Sequence, residues 1–504
     1  MGGERHHAHR AIHTSGRHLE FVADDGADSP VRYYTEGVSN DFLNRVNELA
    51  LLDAVHARSG AQLVAVYGRR RIGKTTLLVH WLGTASKRSV YWVAQRSTAS
   101  MLLAKFSQAL APLFGATDPG FSFSSWEAAL RELARLAKAK PISVVIDELP
   151  YLLESDPSFA TMLQAMWDHE LKRSKLRLFL AGSHYHMMHD TLAARGGPLF
   201  GRTTADLFID ELSVRDMALF LPRYSPEQLV ETYSVIGGVP RYLEAWNDRQ
   251  SVATNIRSTV LSPLSLFRSE PSFLIHDEIA DPRTFLAVLE AIGGGMKRPV
   301  DIARGAGVQL AHIGKYLRTL ETLRFVRRVV SIEASNVRKS RVSQYEIRDP
   351  YLRFHFAFVQ PNLRLLEEGR VDRLAELIAG GFSSFVGRTG YEELCRKHVA
   401  ALADRGELSF EALEVGRIWD KRIEIDVVAL DRRSKNALIG ECRWRAGAMG
   451  EDTLEDLKAR GQGLQKLQRM KLHYALFSRS GFTRALVKRA AAEKIMLVEG
   501  VPGA

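Results

Sequence analysis

The sequence predicts a multidomain α/β chain whose first domain is built around a phosphate-binding loop. Three observations carry that expectation. An apolar run, Leu63 to Tyr67, leads into Gly68-Arg69-Arg70-Arg71-Ile72-Gly73-Lys74-Thr75-Thr76. This is the G-x-x-x-x-G-K-T spacing of a turn between a strand and a helix. A second apolar run, Ile142 to Ile146, ends in Asp147-Glu148. Further short apolar runs at Val90–Ala94, Leu176–Ala181 and Leu207–Ile209 alternate with longer amphipathic stretches, which reads as strands and helices of one layered domain.

The loop has a chemical logic. Its two glycines let the backbone wrap an anion with N–H groups, and the following helix adds the partial positive charge of its N-terminus. Lys74 is placed to reach the β- and γ-phosphates of a nucleotide, and the Thr75 hydroxyl to hold Mg²⁺. Thr76 continues the turn into the helix. Asp147, at the end of a buried parallel strand, supplies a hard oxygen ligand to Mg²⁺, and Glu148 a base that polarises water. Two acids at the end of a buried strand are costly unless they serve a cation. ATP and Mg²⁺ are therefore the expected ligands.

Composition sets the wider bounds. At 504 residues the chain exceeds what one core usually covers. Its 69 Lys and Arg against 58 Asp and Glu give a formal charge of +11. That balance suits a polyanion such as nucleic acid, or simply a basic surface. Two cysteines, Cys395 and Cys442, exclude a disulfide scaffold and argue against a zinc cluster. No run has the length of a membrane span and no signal-peptide core is read, so a cytoplasmic protein is expected.

Taken in order, residues 1–40 read as a disordered polar tail, with His6, His7, His9, His13 and His18 but no ligand geometry. Phe42–Leu52 reads as a helix that Asn44 can cap. Arg45 and Glu48 either line an adenine pocket or pair with each other at i, i+3. Helices are expected near Thr98–Phe114 and Trp126–Lys138, the second with Ser124 and Glu127 at capping-box spacing. Ser183, after the Leu176–Ala181 strand, is a candidate γ-phosphate sensor. His184, His186 and His189 follow it without a patterned carboxylate. Arg202 is either a phosphate-sensing guanidinium or a structural one. Gly237-Gly238-Val239-Pro240-Arg241 reads as a tight turn that can bring Arg241 or the backbone to the nucleotide.

Together G-R-R-R-I-G-K-T-T, V-V-I-D-E-L-P-Y-L, A-G-S, L-F-G-R-T and G-G-V-P-R-Y-L, between Phe42 and Trp246, resemble a prokaryotic ATPase family common in archaea, within the AAA+/STAND-like P-loop ATPases. The resemblance implies a five-stranded parallel sheet, with the catalytic strand inserted beside the loop strand, and a helical lid. It places the core at 41–225 and the lid at 226–280.

Residues 281–350 read as a winged helix. A first helix carries Phe285 to Ile292, a second helix and turn Val300–Val308, and a recognition-type helix His312–Leu323. A hairpin of Phe325–Ile332 and Ser343–Ile347 follows. Lys315, Arg318, Arg338, Lys339 and Arg341 are candidates for DNA contact. Packing as part of the lid is the other reading.

After a linker at 351–370, residues 371–504 read as helix, three strands, helix, strand, helix, strand. Asp426 and Glu441 on adjacent strands could meet at one metal with a helix glutamate. The E-I-D…E-C-x-W order resembles the restriction-endonuclease-like PD-(D/E)xK fold. The resemblance implies Mg²⁺ on Asp426 and Glu441, with Glu393 or Glu392 assisting. The family's lysine is replaced by Arg443, which cannot give up its proton near neutral pH. Cleavage, DNA binding without cleavage, and a structural remnant all stay open, as does help from Lys421 or Lys458. The expected function is an ATPase acting on or regulated by DNA. The alternatives are a nucleotide-dependent signalling switch, working through a protein partner or self-assembly, and a transcription regulator.

Overall fold

The computed structural model describes residues 42–85, 88–332, 343–420, 423–465 and 467–503. The expected tail with His6, His7, His9, His13 and His18, the hairpin residues Arg338, Lys339 and Arg341, and Lys421 lie outside the described residues. Two compact units are formed. One takes in the described residues as far as Ala65, with Thr75–Ala181 and Pro198–Leu207. The other takes in Val66–Lys74, Gly182–Gly197 and Phe208 onward.

The first unit is organised by a five-stranded sheet. Its strands are β1 (Gln62–Tyr67), β2 (Ser89–Val93), β3 (Ile142–Asp147), β4 (Leu176–Gly182) and β5 (Ala205–Phe208), in the order β2-β3-β4-β1-β5. The pairs β2–β3 and β3–β4 are parallel. Every residue of β3 and β4 is buried, as expected of a sheet covered on both faces. The strand beside β1 is β4, which runs on to Ser183. β3, which ends in Asp147, lies one place further out. The expectation of a catalytic strand beside the loop strand therefore holds for the Ser183 strand and not for the Asp147 strand.

Two capping expectations are corrected. The helix Trp126–Ala137 is capped by Ser125, whose side chain accepts from the Ala128 N–H; Ser124 is one residue too early. The helix Val46–Ala57 starts after Asn44 and Arg45, both left-handed at φ 67° and 65°, so Asn44 does not cap it. Thr98 does cap Ala99–Leu110.

In the second unit the helix Pro226–Ile236 opens on a Ser225–Gln228 capping box. The helix Leu266–Glu278 carries Pro271 inside it. Helices Arg283–Gly293, Pro299–Gly305 and Leu310–Thr322 follow, then an antiparallel pair, β6 (Val326–Val330) and β7 (Ser343–Ile347). Pro350–Phe354 and Val371–Val386 lead to the helix Glu392–Asp404. A second sheet comprises β8 (Glu414–Trp419), β9 (Glu424–Asp431), β10 (Asn436–Arg443), β11 (Lys471–Ser478) and β12 (Met496–Glu499), ordered β12-β11-β10-β9-β8. Here β8–β9 and β9–β10 are antiparallel, and β10–β11 and β11–β12 parallel. Helices Glu451–Gly463 and Arg484–Glu493 fill the parallel connections. The core gathers Ile425, Val428, Ile439, Leu454, Leu457, Leu476 and Leu486.

An ionic network joins the β6–β7 hairpin to this sheet. Arg417 on β8 binds Glu346 on β7, and its backbone oxygen accepts from Ile332 N at 3.0 Å. Arg327 on β6 bridges Glu346 at 3.2 Å and Glu393 at 2.9 Å. Burial alone would raise the Glu346 carboxyl, but Arg417 and Arg327 outweigh it and hold it at about 2. Its stabilising charge is therefore fully present above the unfolded value of about 4.3 and is lost as pH falls towards 2. Glu346→Gln should cost roughly 3 kcal/mol at pH 7, the cost of leaving a buried partner unpaired. Urea unfolding should show that deficit shrinking as pH is brought from 7 towards 3; a pH-independent deficit would contradict the assignment.

Candidate functional site

The phosphate loop folds as its composition requires. A Cβ on Gly68 would lie 2.4 Å from the Ile209 carbonyl oxygen, and Gly73 sits at φ +92°. Ile72 is fully buried and anchors the loop, while Arg71 is left-handed at φ 66°. Lys74 opens the next helix. Its Nζ donates to the carbonyl oxygens of Gly68 and Arg69 at 2.9 and 3.1 Å and to Ser183 Oγ at 2.9 Å. The ammonium thus lies over its own loop with Ser183 beside it, the two residues expected to meet a phosphate.

In the first unit, Thr75 Oγ1 donates to Asp147 Oδ2 at 2.8 Å. The other carboxylate oxygen accepts from the Glu148 N–H at 2.8 Å. Tyr91 of β2 also donates to Asp147 Oδ2. Burial, then the Asp147 charge, push this phenol well above its ordinary range, so it remains a donor. Thr76 is exposed on the helix. Glu148 is left-handed at φ 52° and precedes the helix Leu149–Ser155, a costly conformation for a non-glycine residue.

Other expected residues have different partners. Arg45 is buried and its Nη1 donates to Glu48 Oε1 at 2.8 Å, the i, i+3 pair. Arg202 spends its fork on Asp168, with Nη2 at 2.8 and Nε at 3.0 Å from Oδ2, and donates to the Pro198 and Phe200 carbonyls. That is the structural reading of Arg202. Arg241 pairs with Glu244 on the surface, and the neighbouring Tyr242 reaches the loop in its place. His184 binds Asp277, and His186 and His189 meet Asp190.

Sequence reasoning did not foresee where the three loop arginines go. Arg69 binds Asp349, donates to Tyr242 Oη at 2.7 Å and lies 3.8 Å from Glu211. Arg70 Nε is 2.7 Å from Asp277 and Arg71 Nη1 2.6 Å from Glu270. Tyr242 donates in turn to the fully buried Glu270. Burial raises the Glu270 carboxyl and raises Glu211 to about 7, helped there by the nearby Asp349 charge. At Asp277 burial pushes the same way, yet His184 and Arg70 hold the carboxyl below its ordinary range. Asp349 is 280 residues from Arg69 in the chain, a separation at which no spacing rule signals contact.

The expected carboxylate site of the C-terminal sheet is not assembled as read. Glu393 faces Arg327 and Lys397, whose charges hold it far below its ordinary range against burial. Glu392 is the residue whose charge reaches Asp426. Burial, then Glu392 and Glu441, raise Asp426 well above normal. Successive residues of a helix point in different directions, so only one glutamate can face Asp426. Glu441 is bound by Arg443 at 3.0 Å and Arg460 at 2.6 Å. Lys458 is committed to Glu493 at 2.6 Å. Among the described residues no group of three His, Cys, Asp or Glu could hold a metal ion, and of the three expected ligands Glu393 and Glu441 are engaged by arginines.

Comparison with known proteins agrees with the loop. Residues 42–246 match the model of an ATPase domain found predominantly in Archaea, and residues 355–457 that of archaeal and bacterial proteins of unknown function. The first match supports ATP binding and hydrolysis by that part of the chain. The chain is 29% identical over 409 residues, 80% of its length and 88% of the relative's, to an uncharacterized protein of Methanocaldococcus jannaschii. It is similar to a Walker-type ATPase of Pyrococcus abyssi, at 17% identity and TM-score 0.48, covering 63% of this chain and 97% of that one. An ORC2 protein of Aeropyrum pernix, in ADPNP–ADP complexes, matches at 15% identity and TM-score 0.42, covering 68% and 97%. Among the described residues no helix is long and apolar enough to cross a membrane.

The Glu393 assignment makes a distinction that can be measured. Glu393→Gln should lower the melting temperature, because Arg327 loses a buried partner, and should leave Mn²⁺ binding by calorimetry unchanged. Loss of Mn²⁺ binding without destabilisation would restore Glu393 as a metal ligand.

Proposed function

We propose that this chain is a Mg²⁺-dependent ATPase whose nucleotide state governs a module that acts on, or answers to, DNA. The observation that carries the reading is the position of Lys74, held by the Gly68 and Arg69 carbonyls and Ser183, in a loop whose residues 42–246 match an ATPase domain. The loop Gly68–Thr76 cradles the phosphates with its N–H groups and Lys74 neutralises them. The Thr75 hydroxyl and Asp147 carboxylate are hard oxygen donors, the set that suits Mg²⁺. Bound there, the ion supplies charge neutralisation on the phosphates. Glu148 orients the attacking water, and its left-handed backbone is a strain of the kind that gathers at reacting positions. Ser183 senses the terminal phosphate.

The proposed organisation is a core at 41–225, a lid at 226–280, a winged helix at 281–350, a linker at 351–370 and a nuclease-like domain at 371–504. Exposed His312, Lys315 and Arg318 on the helix Leu310–Thr322, with the formal charge of +11, support DNA as partner. The two arginines on Glu441 support a C-terminal domain that binds without cutting. A signalling switch is the second reading. The ion pairs that run from the loop arginines to segments far along the chain favour it.

Glu148→Gln should retain ATP and slow its turnover on the order of 100-fold or more; unchanged turnover would remove Glu148 as the base. Purified protein should hydrolyse ATP faster with DNA and leave that DNA uncut in Mg²⁺ and Mn²⁺. Turnover indifferent to DNA would favour the switch, and cleavage lost in Asp426→Ala would establish a nuclease.

A further inference from the structure

The three consecutive loop arginines are not dispersed on the surface. Each meets a different acid downstream. Arg70 and Arg71 meet Asp277 and Glu270, one near each end of the helix Leu266–Glu278, with Phe273 of the same helix 5.0 and 5.7 Å from their guanidinium carbons. Arg69 meets Asp349, the second of the two residues between β7 and the helix Pro350–Phe354. Asp349 has two separable jobs. Its Oδ1 accepts from the Leu352 N–H at 2.8 Å as that helix's N-cap, and its Oδ2 binds Arg69. The junction is tied in at other points as well. Arg348 binds Asp210 at 2.9 Å, and the Tyr351 hydroxyl donates to the Phe267 carbonyl.

We propose that Arg69 is shared between Asp349 and the phosphates of a nucleotide on the loop, so that Asp349 is a positioning residue linking phosphate occupancy to the junction between the β6–β7 hairpin and the C-terminal sheet. The proposal rests on the reading that the loop binds ATP. A guanidinium carries five N–H donors in a rigid fork and pairs equally well with carboxylate and phosphate. Arg69 gives Nη1 to Asp349 and Nη2 to Tyr242, and it is the loop residue next to Gly68. A triphosphate competes for the same cation. By linkage, whatever weakens the Asp349 pair when ATP binds must equally tighten ATP when that pair is removed. Glu211 and Glu270 stay close to Arg69 and keep it in place when Asp349 is neutralised. The Glu346–Arg417 pair joins the hairpin to the C-terminal sheet, and the Arg327–Glu393 pair joins it to the helix Glu392–Asp404.

Asp349→Asn isolates the charge, since Asn is as good an N-cap as Asp. Fluorescent ATP and ADP are titrated into full-length wild type, Asp349→Asn, Asp349→Glu and Lys74→Ala. Hydrogen exchange of the Leu352 and Arg353 amides is followed with and without ATP. Asp349→Asn should bind ATP roughly 5- to 50-fold tighter, with a smaller gain for ADP, and should lose the ATP-induced rise in exchange that wild type shows. Asp349→Glu keeps the charge and should retain wild-type ATP affinity. Wild-type ATP affinity in Asp349→Asn, or wild-type exchange indifferent to ATP, would overturn the inference while leaving nucleotide binding standing. Absence of Lys74-dependent ATP binding in wild type would overturn both. If Asp349→Asn fails to fold, Asp349→Ser keeps a capping oxygen without the charge and carries the same test.

Discussion

A phosphate loop must offer its backbone N–H groups to an anion, and this one carries three arginines in succession. Those side chains cannot occupy the space that the backbone must leave open, and three adjacent cations repel one another. Acids from elsewhere in the chain resolve the conflict. Glu270, Asp277, Asp349 and Glu211 take up the charge, and Tyr242 links Arg69 to Glu270. Desolvation raises Glu211 and Glu270, so these carboxylates need their guanidinium partners as much as the arginines need them. The helix Leu266–Glu278 and Asp349, just before the helix Pro350–Phe354, are thereby fixed with reference to the loop.

The C-terminal sheet shows the same principle with a different result. Desolvation raises both the Asp426 and Glu392 carboxyls, Glu392 to about 7; the Glu392 and Glu441 charges add to the rise at Asp426, and the Glu424 charge to that at Glu392. Burial is the larger cause. A divalent cation is one way to stabilise such a group. The chain has chosen arginine for the neighbouring Glu441, with Arg443 and Arg460 on its two oxygens. A guanidinium there supplies charge without an exchangeable water or an available base. The charge on Glu441 is thus met by ion pairing within the chain.

Local features were legible in the sequence. β1, β3, β4 and the helices Ala99–Leu110 and Trp126–Ala137 follow from apolar runs and capping side chains, because both depend on residues a few positions apart. Lys74 and Ser183 were each expected to meet a phosphate, and Thr75 and Asp147 each to hold Mg²⁺; their direct hydrogen bonds to one another are what the structure adds. Cap identity was missed at Ser124 and Asn44, since a one-residue shift in backbone conformation decides it. Arg202 was ambiguous until Asp168 was seen to fill its fork. Glu393 and Glu392 differ only in helix phase, which a pair of identical neighbours does not reveal. Asp349, Glu270 and Asp277 lay hidden because an isolated acid carries no pattern, and their partners stand 280, 199 and 207 residues away in number. Tyr91 was hidden for another reason: aromatic residues on a strand ordinarily read as core.

The central claim is that nucleotide on the loop changes what the downstream module does. The most direct measurement is DNA affinity of the full chain with a non-hydrolysable ATP analogue and with ADP, over a range of salt concentrations. The account predicts salt-sensitive binding whose strength differs several-fold between the two nucleotides, a difference that Lys74→Ala abolishes. Equal affinity in both nucleotides at every salt concentration would contradict it.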